Sequence, residues 1–484
     1  GIRAELEKKN RYRWKTDHSD TEVILHAYEE WGIACVERFR GIFALALWDN
    51  RQRDLWLVRD RMGVKPLYYS FRGRQLSFAS EIKALLVDPD QKRQVNEEAL
   101  FHYLSFLTSP APETLFQGIS KLPPATVLRV RSNGTTEQKR YWDPLKAARP
   151  IHGKNENEIA EQLLAELRTA VQYRKMSDVP VGIFLSGGID SSANAALFAE
   201  AESFPVKTFS IGYDGNYASY QNELSQARSM AERVGAVHHE KRLSVNDILE
   251  FLPKMVRLQD EPLADPVCAP VYYVSQLARE NGVIVCQVGE GADELFWGYP
   301  HWKRMRQLQY ANNWPIPPTM KSWGLAAMKG LGWGEGNPYE WLRRGVAGQP
   351  VFWGGAESFT DAEKKALLSP RLRKKFRCST SWDVLSPIYR RFQEEAWEKT
   401  PLQWMSYLDL NLRLPELLLM RVDKMSMGVG LEGRVPFLDH HIVELAMSLP
   451  ESLKTKNGQL KYILKKAVQK ILPSEIINRP KQGF

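Results

Sequence analysis

Between residues 41 and 80, short apolar runs (GIFALALWD, DLWLVRD, PLYYS and QLSFAS) are separated by charged or turn-forming segments such as DNRQR and FRGR. That rhythm predicts antiparallel strands. Just upstream, HSDTEVILHAYEEWG sets Val23, Ala27 and Trp31 on one helical face and ends at Gly32, with Ser19 and Glu22 spaced as a capping box. The first part of the chain therefore reads as α+β.

After Tyr141-Trp142-Asp143-Pro144 the stretch KAARPIHGKNENE loses periodicity and gathers Pro, Gly and Asn, as a linker does. The seam is expected near residue 150, with one domain over 1–145 and a second over 151–484. Beyond it strand and helix patterns alternate: VPVGIFL then SSANAALFAEA, VKTFSIG then YQNELSQARSMAERVG, and VIVCQVG then the ADELFWGY segment. Such alternation predicts a parallel α/β sheet. From about residue 300 the sequence reads as mostly helical, most clearly over EEAWEKTPLQWMSYLDLNLRLPELLLM, and no internal repeat is present.

Length fits this division, since 484 residues exceed a single compact core. No apolar run approaches the ~18 residues that span a bilayer, so no membrane partner is expected. Four scattered cysteines, Cys35, Cys268, Cys286 and Cys378, form no Cys-x-x-Cys pair. That pattern argues against a disulfide framework and suggests the cytoplasm. The net charge of +9 is partly concentrated after residue 450; acidic ligands would explain it, and so would a solvated helix face, because Lys461, Lys465 and Lys466 follow helical spacing. The opening GIRAELEKKN reads as the middle of a charged helix, and the chain stops at KQGF without a polar tail. Both ends are expected to be truncations.

The chemistry gathers in the turns. In a parallel sheet ligands bind outside the carboxyl ends of the strands, where Ser186-Gly187-Gly188-Ile189-Asp190-Ser191 falls. Glycines allow a tight bend, and the helix that follows offers free N–H groups to an anion. Phosphate is the natural guest, with the hydroxyls of Ser186, Ser191 and Ser192 as added donors. Asp190 would repel a bare phosphate and so implies an intervening Mg²⁺; a serine-capped βα turn is the plainer alternative. The third turn, Gly289-Glu290-Gly291-Ala292-Asp293-Glu294, should open at the same sheet edge and bring Asp293 beside Asp190. Acids also favour helix N-termini for dipole reasons alone; Glu294 is assigned that structural role. No Walker sequence occurs, and Gly428-Val-Gly430-Leu-Glu-Gly433 follows no buried strand and is discounted.

SGGIDS, FSIG, VGEGADELFWGY, LEGRVPFLD and GQLKYIL, taken in this order, together with GIFALALWD, VRDRMGVKPLYY and ASEIKAL, resemble the glutamine-hydrolysing asparagine synthetase family over nearly the whole chain. The resemblance implies an antiparallel-sheet sandwich of the N-terminal-nucleophile hydrolase type, incomplete here, as the glutaminase domain. It implies a parallel-sheet pyrophosphate-loop ATPase domain with a helical C-terminal part as the synthetase. The implied reaction is ATP-dependent amidation of aspartate through an aspartyl-adenylate, using ammonia from glutamine and releasing AMP and pyrophosphate.

Carried over motif by motif, Ser186, Gly187, Gly188, Asp190 and Ser191 would cradle pyrophosphate, with Asp190 and Asp293 on Mg²⁺. Phe184, Ile211, Val288 and Gly289 would contact adenosine. Glu290 would serve the adenylate steps, as the base toward ammonia, and Lys461 would neutralise charge on the α-phosphate. Asp20 would recognise the α-amino group of glutamine. Arg434 and Asp439 would shape the pocket or brace the fold as a buried pair. The family's nucleophile is an N-terminal cysteine, whereas this chain opens on Gly1; glutamine hydrolysis is therefore not expected, while ammonia should substitute.

Three alternatives remain open on the sequence. The acceptor could be a sugar acid, a peptide or a β-amino acid. A pyrophosphate-loop enzyme acting on tRNA would use the positive charge, but there is no Cys-x-x-Cys and no aromatic–basic interleaving, so no nucleic-acid partner is expected. A non-catalytic scaffold is disfavoured by Asp190, Glu290, Asp293 and Lys461. A homodimer is an open expectation. The pairs His238-His239 and His440-His441 are assigned to loop or surface positions, because adjacent residues do not face one way.

Overall fold

The computed structural model describes residues 1–200, 202, 204–215 and 223–479. The four runs between residues 41 and 80 become β1 (Ala44–Asp49), β2 (Asp54–Arg59), β3 (Tyr68–Arg72) and β4 (Gln75–Ala79). With β5 (Ser120–Lys121), β6 (Thr126–Arg131) and β7 (Thr136–Arg140) they build two antiparallel sheets, of order β1-β2-β6-β7 and β4-β3-β5. The helix Asp20–Trp31 forms as expected and closes on Gly32 at φ 58°, a backbone region open to glycine. Its cap is only half a capping box. Ser19 Oγ accepts the Glu22 N–H, but the Glu22 carboxylate instead takes the N–H groups of Lys15 and Thr16, tying down the preceding loop.

The second sheet system is parallel, in the order β10-β9-β8-β11-β12, from β8 (Val181–Phe184), β9 (Lys207–Tyr213), β10 (Val237–Leu243), β11 (Val285–Gln287) and β12 (Glu432–Arg434). Thr208 to Gly212 of β9 and all of β11 are buried, as expected where both faces are covered. The chain runs β8, β9, β10 to one side, then returns to lay β11 against the other edge of β8. This reversal opens a crevice beyond the carboxyl ends of β8 and β11. A short hairpin, β13 (Thr455–Lys456) and β14 (Gln459–Leu460), sits near the end of the described chain.

The region after residue 300 is helical, but the segment beginning EEAWEKT is not one helix. Trp382–Glu395 ends before Ala396, and Pro401–Asn411 begins anew, with Thr400 Oγ1 accepting the Gln403 N–H. Pro401 lacks the N–H a helix interior needs and fits its first turn. The first 145 residues are pinned to the rest by buried charge. Lys121 Nζ lies 3.1 Å from Glu261 and 2.9 Å from Glu416, Lys65 meets Asp423 at 2.7 Å, and Asp439 receives both Arg40 and Arg174.

Candidate active site

The turn after β8 is folded by its own side chains. Ser186 N–H donates to Ser191 Oγ at 3.1 Å, and the two hydroxyls stand 3.0 Å apart. Gly187, at φ 74°, has no room for a side chain, since a Cβ would fall 2.8 Å from the backbone nitrogen of Ala227. The helix Ile189–Ala199 starts directly from this bend and directs its N-terminal N–H groups and about half a positive charge into the crevice. Ser192 does not take part. It is wholly buried and its hydroxyl has no partner among the described residues, because one residue of helical rotation beyond Ser191 turns it from the crevice into the core.

The turn after β11 arrives from the neighbouring strand and packs closely on the first. A Cβ on Gly289 would lie 3.2 Å from the Ser191 nitrogen. Asp190 Oδ2 and Asp293 Oδ1 each stand 2.5 Å from Lys461 Nζ, so one ammonium joins the two turns. Lys461 is 5% exposed and holds φ 53° at the junction between β14 and the helix Tyr462–Val468. Burial pulls its pKa down, but the charges of Asp190 and Asp293 overcome that and hold it well above the ordinary lysine value. Gly298 leaves the space in which Asp293 reaches this ammonium.

Around the triad lies a cavity of about 790 Å³. Phe184, Ile211 and Val288 give it an apolar wall, and Ser186, Gly188, Gly289 and Glu290 lie on its lining. Glu290 is held by Arg421, whose Nη2 donates to it at 2.5 Å while Nη1 donates to Asp265 at 2.8 Å. On another wall Arg413 lies over the Tyr299 ring at 4.6 Å, 3.6 Å from Asp409 and 3.9 Å from Glu294. Tyr299 OH donates to Glu294 at 2.5 Å. Burial, ahead of the opposing pull of Arg413, raises the Asp409 pKa to about 7. Arg413 and Arg421 were not identified from sequence; they come from helices after residue 400, and only a Leu-rich pattern marks those segments.

Asp190 and Asp293 converge on the Lys461 ammonium; as hard carboxylates they are a donor type suited to Mg²⁺, whose shell substrate oxygens would complete. Among the described residues no group of three His, Cys, Asp or Glu is arranged to hold a metal. The paired histidines are not in loops. His238 and His239 lie within β10, and His440 and His441 open the helix His440–Ser448. Asp20 stands exposed at the start of its helix, away from the cavity. Arg434 and Asp439 do not line the cavity or pair with each other. Arg434 caps the carbonyls of Arg174 and Met176, and Asp439, fully buried, braces Arg40 and Arg174.

Comparison with known proteins adds the lineage. The asparagine synthase family profile matches residues 162–484, and that of the glutamine amidotransferase domain matches residues 1–142. Asparagine synthetase [glutamine-hydrolyzing] 1 of Bacillus subtilis (strain 168) is 35% identical over 485 residues, covering 100% of this chain and 73% of that protein. A putative asparagine synthetase [glutamine-hydrolyzing] of Mycobacterium tuberculosis (strain ATCC 25618 / H37Rv) is 35% identical over 489 residues, covering 100% and 72%. Amidase chyE of Penicillium rubens is 28% identical over 511 residues, covering 96% and 72%.

Proposed function

Because the chain belongs to the asparagine synthase family, we propose that it amidates aspartate to asparagine using ATP, through an aspartyl-adenylate. The observation that carries this reading is the meeting of Asp190 and Asp293 on Lys461, 2.5 Å from each, beside the N-terminus of a glycine-turn helix. In the first step an oxygen of the aspartate side-chain carboxylate attacks the α-phosphorus of ATP, and the bond to pyrophosphate breaks. In the second, ammonia attacks the acyl carbon and AMP leaves with the electron pair.

Each residue has work suited to its surroundings. The bend at Ser186, Gly187, Gly188 and Ser191 receives the phosphate tail on backbone N–H groups. Phe184, Ile211, Val288 and Gly289 hold adenosine. Lys461 remains charged and offsets the negative charge that builds at the α-phosphate. Glu290, steered by Arg421, accepts the proton that ammonia loses. Asp190 and Asp293 would hold Mg²⁺, which supplies charge neutralisation at the phosphates when bound.

Incubation with ATP, Mg²⁺, aspartate and ammonium should give asparagine, AMP and pyrophosphate in equal amounts. Pyrophosphate formation that does not depend on aspartate would overturn the reading. A second reading, the same chemistry on another carboxylate, is favoured by the relative named as an amidase, which matches 96% of the chain. A panel of acceptor acids separates the two, since only the true acceptor drives pyrophosphate release.

In residues 1–145, Asp20 is the proposed contact for the amino group of glutamine. A polypeptide of these 484 residues is proposed not to hydrolyse glutamine. Cys35, its sole cysteine before Cys268, is 1% exposed among Leu6, Ala27, Val36 and Phe39, and burial pushes its thiol up to about 12. A thiol so protonated is a poor nucleophile. Release of glutamate from glutamine by this polypeptide would refute the proposal.

A further inference from the structure

Residues 301–334 begin beside the cavity, where Pro300 and Lys303 form part of its lining. They contain Lys303, Arg304, Arg306, Lys321 and Lys329 and not one aspartate or glutamate. The helix Pro318–Gly330 buries none of its residues. It is nonetheless docked: Lys321, Gly324, Leu325 and Met328 form a half-buried face, a Cβ on Gly324 would lie 3.3 Å from Leu342 of the helix Asn337–Val346, and Lys321 Nζ donates to the Asn312 carbonyl at 2.6 Å. With its inner face already seated, the helix presents a second apolar stripe to solvent. Met320, Trp323, Ala327 and Leu331 recur at i, i+3, i+7 and i+11, which places them along one side.

Trp314 and Trp333 flank this stripe. Trp314, Trp323 and Trp333 are 68%, 74% and 64% exposed, and Leu331 is 66% exposed. Large apolar side chains exposed in succession mark an interaction surface. Tryptophan at an apolar–water boundary, in a segment whose charged side chains from 301 to 334 are all basic and whose next acid in sequence is Glu335, fits a bilayer headgroup layer. We propose that residues 310–333 dock peripherally on an anionic lipid surface, with the tryptophans at headgroup depth and the exposed Lys329 on lipid phosphates.

Charge selects this occupant over a second copy of the chain. A two-fold contact sets the same patch against itself, which would oppose the exposed Lys329 to its own copy. Arg306 is already matched by Glu451 at 2.6 Å. Among the described residues no helix is long and apolar enough to cross a membrane, so the contact lies in the plane of the surface. It departs from the sequence-based expectation of no membrane partner, and it does not depend on which acid is amidated.

The test is co-sedimentation of the whole chain with vesicles of phosphatidylcholine alone and of phosphatidylcholine mixed with phosphatidylglycerol. Binding is expected only to the mixed vesicles, weakening as salt is raised. The triple substitution W314S/W323S/W333S should lower partitioning at least ~10-fold. Unchanged aspartate-dependent pyrophosphate release in that variant reports an intact fold. Lys329→Glu, an exposed charge reversal, should weaken binding independently. No binding to the mixed vesicles, or binding indifferent to both variants, would overturn the proposal. So would sedimentation in which the triple variant converts a dimer to a monomer, which would assign the stripe to a second copy.

Discussion

Asp293 reaches Lys461 across the α-carbon of Gly298: a methyl group there would lie 1.6 Å from Asp293 Oδ1 and 2.4 Å from Lys461 Cε. The ion triad is therefore built on an absent side chain.

Gly298→Ala should displace Asp293 and lower aspartate-dependent pyrophosphate release by about 10²-fold, the scale expected for a misplacement of about 1 Å at a reacting centre. Gly298 is not in the left-handed region, so alanine imposes no backbone strain there. The variant should still unfold cooperatively, with its melting temperature lowered by the overpacking, so the specific activity of the folded fraction is what separates loss of geometry from loss of fold.

Lys461→Met should cut kcat by about 10²–10³-fold while changing the KM for ATP far less, because the ammonium acts on charge that develops in the transition state. Steady-state pyrophosphate release measures both constants. An equal loss in KM alone would reduce Lys461 to a ground-state contact.

Much of this arrangement was legible in the sequence, because strand, bend and helix N-terminus are local. VGIFLSGGIDSS and VCQVGEGADEL each state their own geometry, and the sheet rule places them side by side. What was not legible depends on distant partners. Nothing near RVDKMSM reveals that Arg421 grips Glu290, 131 positions earlier, and nothing near WGYP reveals that Gly298 shelters an ion pair. Arg434 and Asp439 share one motif and do not pair, yet both meet at Arg174, one at its carbonyl and the other at its guanidinium. Ser192 shows the converse error: its motif suggested a phosphate contact, but helical rotation points it into the core.

Asp409 supplies a pH signature. Its pKa is raised from 3.8 to about 7 by burial, opposed by Arg413. The folded state then holds the proton across a range in which the unfolded chain has lost it, so this group's stabilising contribution is complete below about 4 and is lost as pH rises to about 7. Asp409→Asn keeps an acceptor for the Gly355 N–H and removes the titration. Thermal unfolding from pH 4 to pH 8 should show wild type losing stability relative to the variant over that window.

Asp439→Ala should cost about 3–5 kcal/mol in a denaturant titration, since it strands Arg40 and Arg174 without their shared carboxylate. Asp439 lies outside the cavity lining, so the specific activity of the folded fraction should survive.

Lys461 stands on the short hairpin near the end of the described chain, while the carboxylates it joins lie at positions 190 and 293. A ribosome making this protein finishes both acidic turns long before it supplies the cation that unites them. Until then the two carboxylates lack the ammonium that couples them, and the nascent chain cannot complete its reaction centre.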